Sequence, residues 1–376
     1  MKKIITRQFF FNILAAAIIT SAVLAIVSPV SCRLTDEGIE IFPGDSQSPE
    51  IEKFSVISNK SVEILCSEKI IFDNIKVVSG NSIILDEQSD CNQCELYAVA
   101  DCINYDEQGL CAEILFSEST IIGEPYTISG IVYDTSGNSL EFSRTFYGYN
   151  ENPAKLIFSE IRSKNSTAKV EFIEFYVLKS GNLSGLEVSS AVKGEENAYI
   201  FPVIDVKKGE FITLHGHIIE KLASGAKNEL GSDLTLSTAA ESCSLARDLW
   251  NNSESAFFGN NDVLVLKDFN TGSFKDAVLM CPSSSSKWYR TQEKVYADEA
   301  YECGIWTSGA DVANAVDTET ANALGRSVSR QNISELAARY PDEETVPEII
   351  PAAKEDYLVV SVVTPGTENS NNEYVK

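Results

Sequence analysis

The chain has 376 residues, 44% of them hydrophobic and 23% charged, enough for two or three folded units of ordinary globular composition. It carries 55 acidic and 30 basic residues, a formal net charge of −25; that excludes a nucleic-acid ligand, whose phosphates need a basic surface, and favours a solvated, repulsive exterior. Two histidines and two methionines leave little material for general-base catalysis near neutral pH or for an adaptable methionine-rich surface.

The amino terminus reads as an address. Lys2, Lys3 and Arg7 precede an apolar run that starts at Phe9 and continues from Ile13 to Val27, followed by Ser28-Pro29-Val30-Ser31-Cys32. This is a secretory signal over 1–31. A cysteine directly after the run resembles the acceptor of a bacterial lipoprotein signal, which implies cleavage before Cys32 and its acylation. Cleavage without lipid and an uncleaved anchor stay open, since the run approaches the ~20 residues that span a bilayer. Each reading places the bulk of the chain outside the cytoplasm, held at a membrane in two of the three. Residues 32–50 are then the acylated terminus and a polar tether.

From 51 to 149 short apolar runs recur between turn residues. They include Phe54 to Ile57, Val62 to Leu65, Ile75 to Val78, Ala112 to Phe116 and Tyr126 to Tyr133. That spacing predicts a β-sandwich. Residues 123–140, with a turn of Asp134, Ser136, Gly137 and Asn138, resemble the last hairpin of bacterial immunoglobulin-like domains. Calcium needs roughly six to eight oxygen ligands, so the aspartate turn is read as a turn. The unit holds Cys66, Cys91, Cys94, Cys102 and Cys111. An exported setting predicts disulfides among them; the Cys91-x-x-Cys94 spacing leaves zinc, with Cys102 and Cys111, and redox chemistry open.

The second unit runs from 150 to 369. Leu156-Ile157-Phe158-Ser159-Glu160-Ile161, Val170-Glu171-Phe172-Ile173-Glu174-Phe175-Tyr176 and Asn182-Leu183-Ser184-Gly185-Leu186 alternate apolar and polar residues, as half-buried strands do. Further on stand Phe201-Pro202, Asp276-Ala277-Val278, Ser327 with Arg330, and Thr364-Pro365-Gly366-Thr367-Glu368-Asn369. In this order they resemble the lamin-tail domain, which implies an immunoglobulin-like β-sandwich. The fold class expected is all-β, two such sandwiches in tandem, with a short helix between Lys287 and Cys303 inside an insertion at 281–322, and a polar tail at 370–376. Cys243, Cys281 and Cys303 fall in this unit and join the expected disulfide cysteines. Trp288 and Trp306 of the insertion are candidate partner contacts or the cover of an otherwise open edge.

His215-Gly216-His217 puts two imidazoles on one strand face, read as an exposed hairpin pair rather than a metal site. Glu171 and Glu174 read as strand-edge residues. No nucleophile elbow, phosphate loop or dinucleotide fingerprint is present. The expectation is no enzyme and no cofactor or metal. Instead the chain would be a lipid-anchored envelope protein presenting the lamin-tail-like unit to a protein or glycan. A secreted metal-dependent hydrolase or its accessory subunit is one alternative; a structural spacer is another.

Overall fold

The structure, a computed structural model, describes residues 31–35, 38–42, 45–80 and 96–375. The leader, the side chain of Cys32 and the Cys91–Cys94 pair lie outside the described residues. β1 (Ser31–Thr35) and β2 (Gly38–Phe42) form an antiparallel hairpin where a plain tether is expected. The alternation in Gly38-Ile39-Glu40-Ile41-Phe42 is the local reason.

The first unit contains β3 (Ile51–Ser58), β4 (Ser61–Cys66), β5 (Ile70–Ser79), β6 (Leu96–Tyr105), β7 (Cys111–Phe116), β8 (Pro125–Asp134) and β9 (Ser139–Tyr147). They make one seven-stranded sheet in the order β3-β4-β7-β6-β5-β8-β9. The sheet folds over its own core. Phe54 of β3, the first strand in that order, lies 5.7 Å from Phe146 of β9, the last, and Phe116 of β7 lies 6.0 Å from the same ring. Between them sit Val62, Ile64, Ile114, Ile128 and Val132, each fully buried. Two edges brought together around apolar side chains make a sandwich.

The second unit is built from two main sheets and a two-stranded ribbon of β12 and β15. In chain order its strands are β10 (Lys155–Arg162), β11 (Phe172–Lys179), β12 (Gly181–Asn182), β13 (Leu186–Ser190), β14 (Tyr199–Ile200), β15 (Asp205–Val206), β16 (Phe211–His215), β17 (Arg247–Trp250), β18 (Asp262–Asp268), β19 (Phe274–Cys281), β20 (Val316–Asp317), β21 (Ser327–Arg330) and β22 (Tyr357–Val360). One sheet has the order β17-β16-β11-β10-β21-β22, the other β14-β13-β18-β19-β20. Phe158, Phe175, Ile212 and Leu249 from the first meet Val188, Val265, Ala277 and Leu279 from the second in one core. The protein is thus all-β, with two short α-helices among the described residues, α1 (Thr291–Glu302) and α2 (Ile333–Ala338).

Two pairs, β16 with β17 and β19 with β20, are parallel. A parallel neighbour cannot be reached by a tight hairpin and needs a long crossover. Residues 216–246 are one crossover, and residues 282–315, which carry α1, are the other. The helix forms where expected. The Glu293 carboxylate accepts from the Arg290 amide at 2.7 Å to cap its first turn. Tyr296, Ala297 and Ala300 face the core. On β18, the Lys267 Nζ reaches the Tyr296 hydroxyl at 3.0 Å and Glu195 at 2.7 Å, tying the helix to the sheet.

The units touch through the β18–β19 turn. The Asn270 side chain donates to the Tyr147 carbonyl at 3.0 Å and accepts from the Tyr147 amide at 2.8 Å, pairing like a strand residue. The Phe269 ring meets Tyr147 edge-on at 4.8 Å.

Candidate functional site: a buried polar row and an open groove

The strands of the larger sheet are buried on both faces, not half-buried as their alternation suggests. β10 has no exposed residue. Its core face holds Leu156, Phe158 and Ile161; its outer face is covered by α2, by the 216–246 crossover and by the carboxy-terminal segment 361–372. A bulge between Phe158 and Glu160 sets Glu160 opposite Glu174 of β11. Glu174 in turn stands opposite Thr213 of β16, and Thr213 opposite Asp248 of β17. On the other side Glu160 pairs with Ser329 of β21. A straight polar row, Asp248-Thr213-Glu174-Glu160-Ser329, therefore crosses five strands, with no member more than 1% exposed.

The carboxylates of the row are satisfied by neighbouring side chains of the sheet and by the chain that covers it. Glu160 accepts from the hydroxyls of Ser327 and Ser329 and from the Thr364 amide at 3.0 Å. Glu174 accepts from the Ser159 hydroxyl at 2.9 Å and the Gly366 amide at 2.6 Å. The Asn369 amide group donates to the carbonyls of Ser159 and Arg330 at 3.0 and 2.8 Å. The Thr364-to-Asn369 motif is thus the part of the chain that the two glutamates grip. Asp248 accepts from His215 Nε2 at 2.7 Å and from the Cys243 amide at 3.0 Å. The covering segments also meet each other, the Cys243 thiol donating to the Pro365 carbonyl at 3.4 Å. Burial drives the Glu174 carboxyl up to about 8, the neighbouring Glu160 charge adding to it. Burial raises Glu160 too, against the hydroxyls that favour its charge. In the facing sheet Asp262, fully enclosed, is pushed up to about 7 by burial.

Several sequence expectations change here. The histidines are not an exposed pair: His215 is 1% and His217 6% exposed. His215 stacks on Trp250 at 3.9 Å and binds Asp248, while His217 Nδ1 binds Glu171 at 3.0 Å. Each imidazole thus has its own carboxylate. Glu171 and Glu174 are not exposed edge residues either; Glu174 lies on β11, the third strand in, Glu171 directly precedes that strand, and both side chains are fully buried. Trp306 is fully buried with its indole N–H on the Asn314 carbonyl at 3.1 Å, and half-buried Trp288 donates to the Ala310 carbonyl at 2.9 Å. Both anchor the crossover, so Trp306 is no partner contact.

The six described cysteines, Cys66, Cys102, Cys111, Cys243, Cys281 and Cys303, are free. The disulfides expected among them are not formed. Leu65, not Cys66, stands opposite Cys111, so Cys66 points to the other face of its strand. Cys281 ends β19, Cys303 follows α1 and Cys243 lies in the first crossover, three separate elements. Burial and the adjacent Cys111 raise the Cys66 thiol to about 11, which keeps it protonated and inert.

Asp45, just ahead of the first unit, and Glu68 and Asp134 within it bring ligand-type oxygens within 4.8 Å of one another. Asp134 already accepts from the amides of Ser136 and Asn138, both at 2.8 Å, and from the Asn138 side chain at 2.6 Å, as a turn aspartate does.

The larger open feature is a groove of about 670 Å³ between the 282–315 crossover and the edge of β22, with Ser285, Asp317, Lys354, Tyr357 and Tyr374 on its walls. A smaller hollow of about 380 Å³ adjoins it against Trp288 and Lys294, sharing Val312 and Ala313. None of the polar row lines either one. The sequence located the crossover but not the groove, because β22 and the carboxy-terminal residues that complete it lie far along the chain.

The chain is 29% identical over 203 residues to an uncharacterized protein of Treponema pallidum (strain Nichols). The match covers 52% of this chain, and the chain spans about half, 51%, of that relative's length. Among solved structures, a DUF4876 family protein from Bacteroides thetaiotaomicron VPI-5482 aligns over 80% of this chain and 95% of its own at 12% identity and a TM-score of 0.31. The N-terminal part of the bacterial S-layer protein SbsC aligns over 63% of this chain and 44% of its own at 14% identity and a TM-score of 0.23. A family model described as TP_1001_2nd, protein second domain, matches residues 154–372. That range is more than half of the chain and coincides with the two-sheet unit, and the chain belongs to this family.

Proposed function

We propose that the chain is a non-enzymatic, lipid-anchored envelope protein whose lamin-tail-like second unit binds a protein or glycan through the groove beside the 282–315 crossover. The observation that carries this reading is the groove itself. It is open, and it sets the half-buried Tyr374 ring beside hydroxyl, carboxylate and ammonium groups, the combination that holds a sugar or a polar peptide. The apolar leader ending at Cys32 supports the exported, anchored setting.

Glu160 and Glu174 are the pair a hydrolase reading would use. Their lone pairs are taken by the chain's own hydroxyls and amides, and they line neither hollow, which supports the non-enzymatic reading. The test is direct binding of the purified chain to peptidoglycan and to an array of envelope glycans and peptides. Ala313→Arg, at an exposed position shared by both hollows, is expected to weaken binding ~tenfold or more, about 1.4 kcal/mol. Undiminished binding by that variant, or metal-dependent turnover of phosphoester or glycoside substrates by the wild type, contradicts the proposal.

A further inference from the structure

We propose that Glu174 is held as a neutral carboxylic acid beside an ionised Glu160, and that this one proton latches segment 364–369 onto the sheet. The two residues are direct partners on adjacent strands and both are fully buried. Two ionised carboxylates in that position repel each other with little solvent screening, so one keeps its proton. Donors decide which one. Glu160 receives two hydroxyls and the Thr364 amide, whereas Glu174 receives one hydroxyl and the Gly366 amide. The better-served carboxylate carries the charge.

A protonated carboxyl must also donate. Thr213 stands opposite Glu174 on β16, is 1% exposed, and its buried hydroxyl makes no hydrogen bond. This unpaired oxygen on the neighbouring strand is the acceptor assigned to the Glu174 proton. Burial and the Glu160 charge together lift Glu174 to about 8.

The remaining charged and titratable groups around the pair are already engaged. Arg162 on β10 binds Glu241 of the crossover, and Arg330 on β21 binds Asp276 at 3.4 Å. His215 on β16 binds Asp248 on β17, Cys243 donates to the Pro365 carbonyl, and Glu368 of the segment accepts from the Ser334 hydroxyl. None of them supplies a counter-charge to a second anion at Glu174.

Loss of the Glu174 proton therefore sets two charges side by side. Lifting the segment relieves this by letting water reach both carboxylates. The Cys243–Pro365 contact goes with it, so the 216–246 crossover loosens too.

The test is hydrogen exchange of the full chain, read on peptides covering 361–372 and corrected for the intrinsic pH dependence of exchange, from about pH 6 to about pH 10. The wild type is expected to stay protected to about pH 7 and to exchange ~tenfold faster or more above about pH 9. Glu174→Gln is neutral at every pH and can still donate to Thr213, so it remains protected throughout. Thr213→Val removes the acceptor and moves the opening down by about one pH unit or more. A wild-type profile flat across this range overturns the latch, and so does parallel opening of Glu174→Gln. Should Glu174→Gln fail to fold, the wild-type profile and its displacement in Thr213→Val decide alone.

Discussion

Gly366 is a residue that only glycine can occupy. Its φ is +77, and a Cβ there would lie 2.9 Å from the backbone carbon of Leu245, so both conformation and space exclude a side chain. Gly366→Ala is expected to cost roughly 1–3 kcal/mol in thermal or denaturant melts. Gly137 has a similar φ of +89 but open space around it, and Gly137→Ala is expected to cost about 1 kcal/mol. Equal losses would mean that the close approach of the two covering segments does not matter. Asp276 tests the opposite case, a buried charge with a partner. It accepts from the Phe158 amide at 2.7 Å and neutralises Arg330; Asp276→Ala leaves the guanidinium uncompensated and is expected to lower stability by about 3–5 kcal/mol. Little of this could be read from the sequence. Glu171, Glu174, His215 and His217 fall on positions where alternation says solvent, and nothing local announces that distant loops come back to cover them.

At the scale of elements, the sequence served better. The strands containing Phe158, Phe175 and Leu279 and the helix around Tyr296 follow from alternation and from four-residue spacing. What escaped was pairing direction. Phe211–His215 and Arg247–Trp250 look the same locally whether they run parallel or antiparallel, and only the length of the connection distinguishes them. The same holds for the crossover between β19 and β20, read from sequence as an insertion in a hairpin sandwich. Its anchor is Trp306, which packs against Tyr357 with ring centroids 5.9 Å apart. Trp306→Ala is expected to cost ~3–5 kcal/mol. Trp288→Ala, at a half-buried position, should cost under about 2 kcal/mol. A Trp306→Ala variant that melts with the wild type would show that this crossover is not part of the core.

For the whole molecule, acidity and burial act together on pH dependence. Glu174 rises from 4.5 to about 8 and Asp262 from 3.8 to about 7. A carboxyl whose folded value is raised contributes stability that is complete below its unfolded value and lost as pH climbs through the folded one. The window is therefore about pH 4 to about pH 8, and the −25 net charge adds self-repulsion at its upper end. Melting followed by calorimetry should give a higher midpoint near pH 5 than near pH 9, by an amount equivalent to about 1 kcal/mol or more. The opposite slope would mean that both carboxyls are ionised when folded. This picture separates two roles within one unit: the buried row holds the covering segments in place, and the groove meets the ligand. The most direct test compares Ala313→Arg and Glu160→Gln with the wild type, measuring peptidoglycan affinity and melting temperature on the same preparations. Ala313→Arg is expected to lose affinity at unchanged melting temperature, and Glu160→Gln to lose melting temperature while the folded fraction binds as before. Binding lost in Glu160→Gln but kept in Ala313→Arg would contradict this separation of roles, placing the site on the carboxylate row instead.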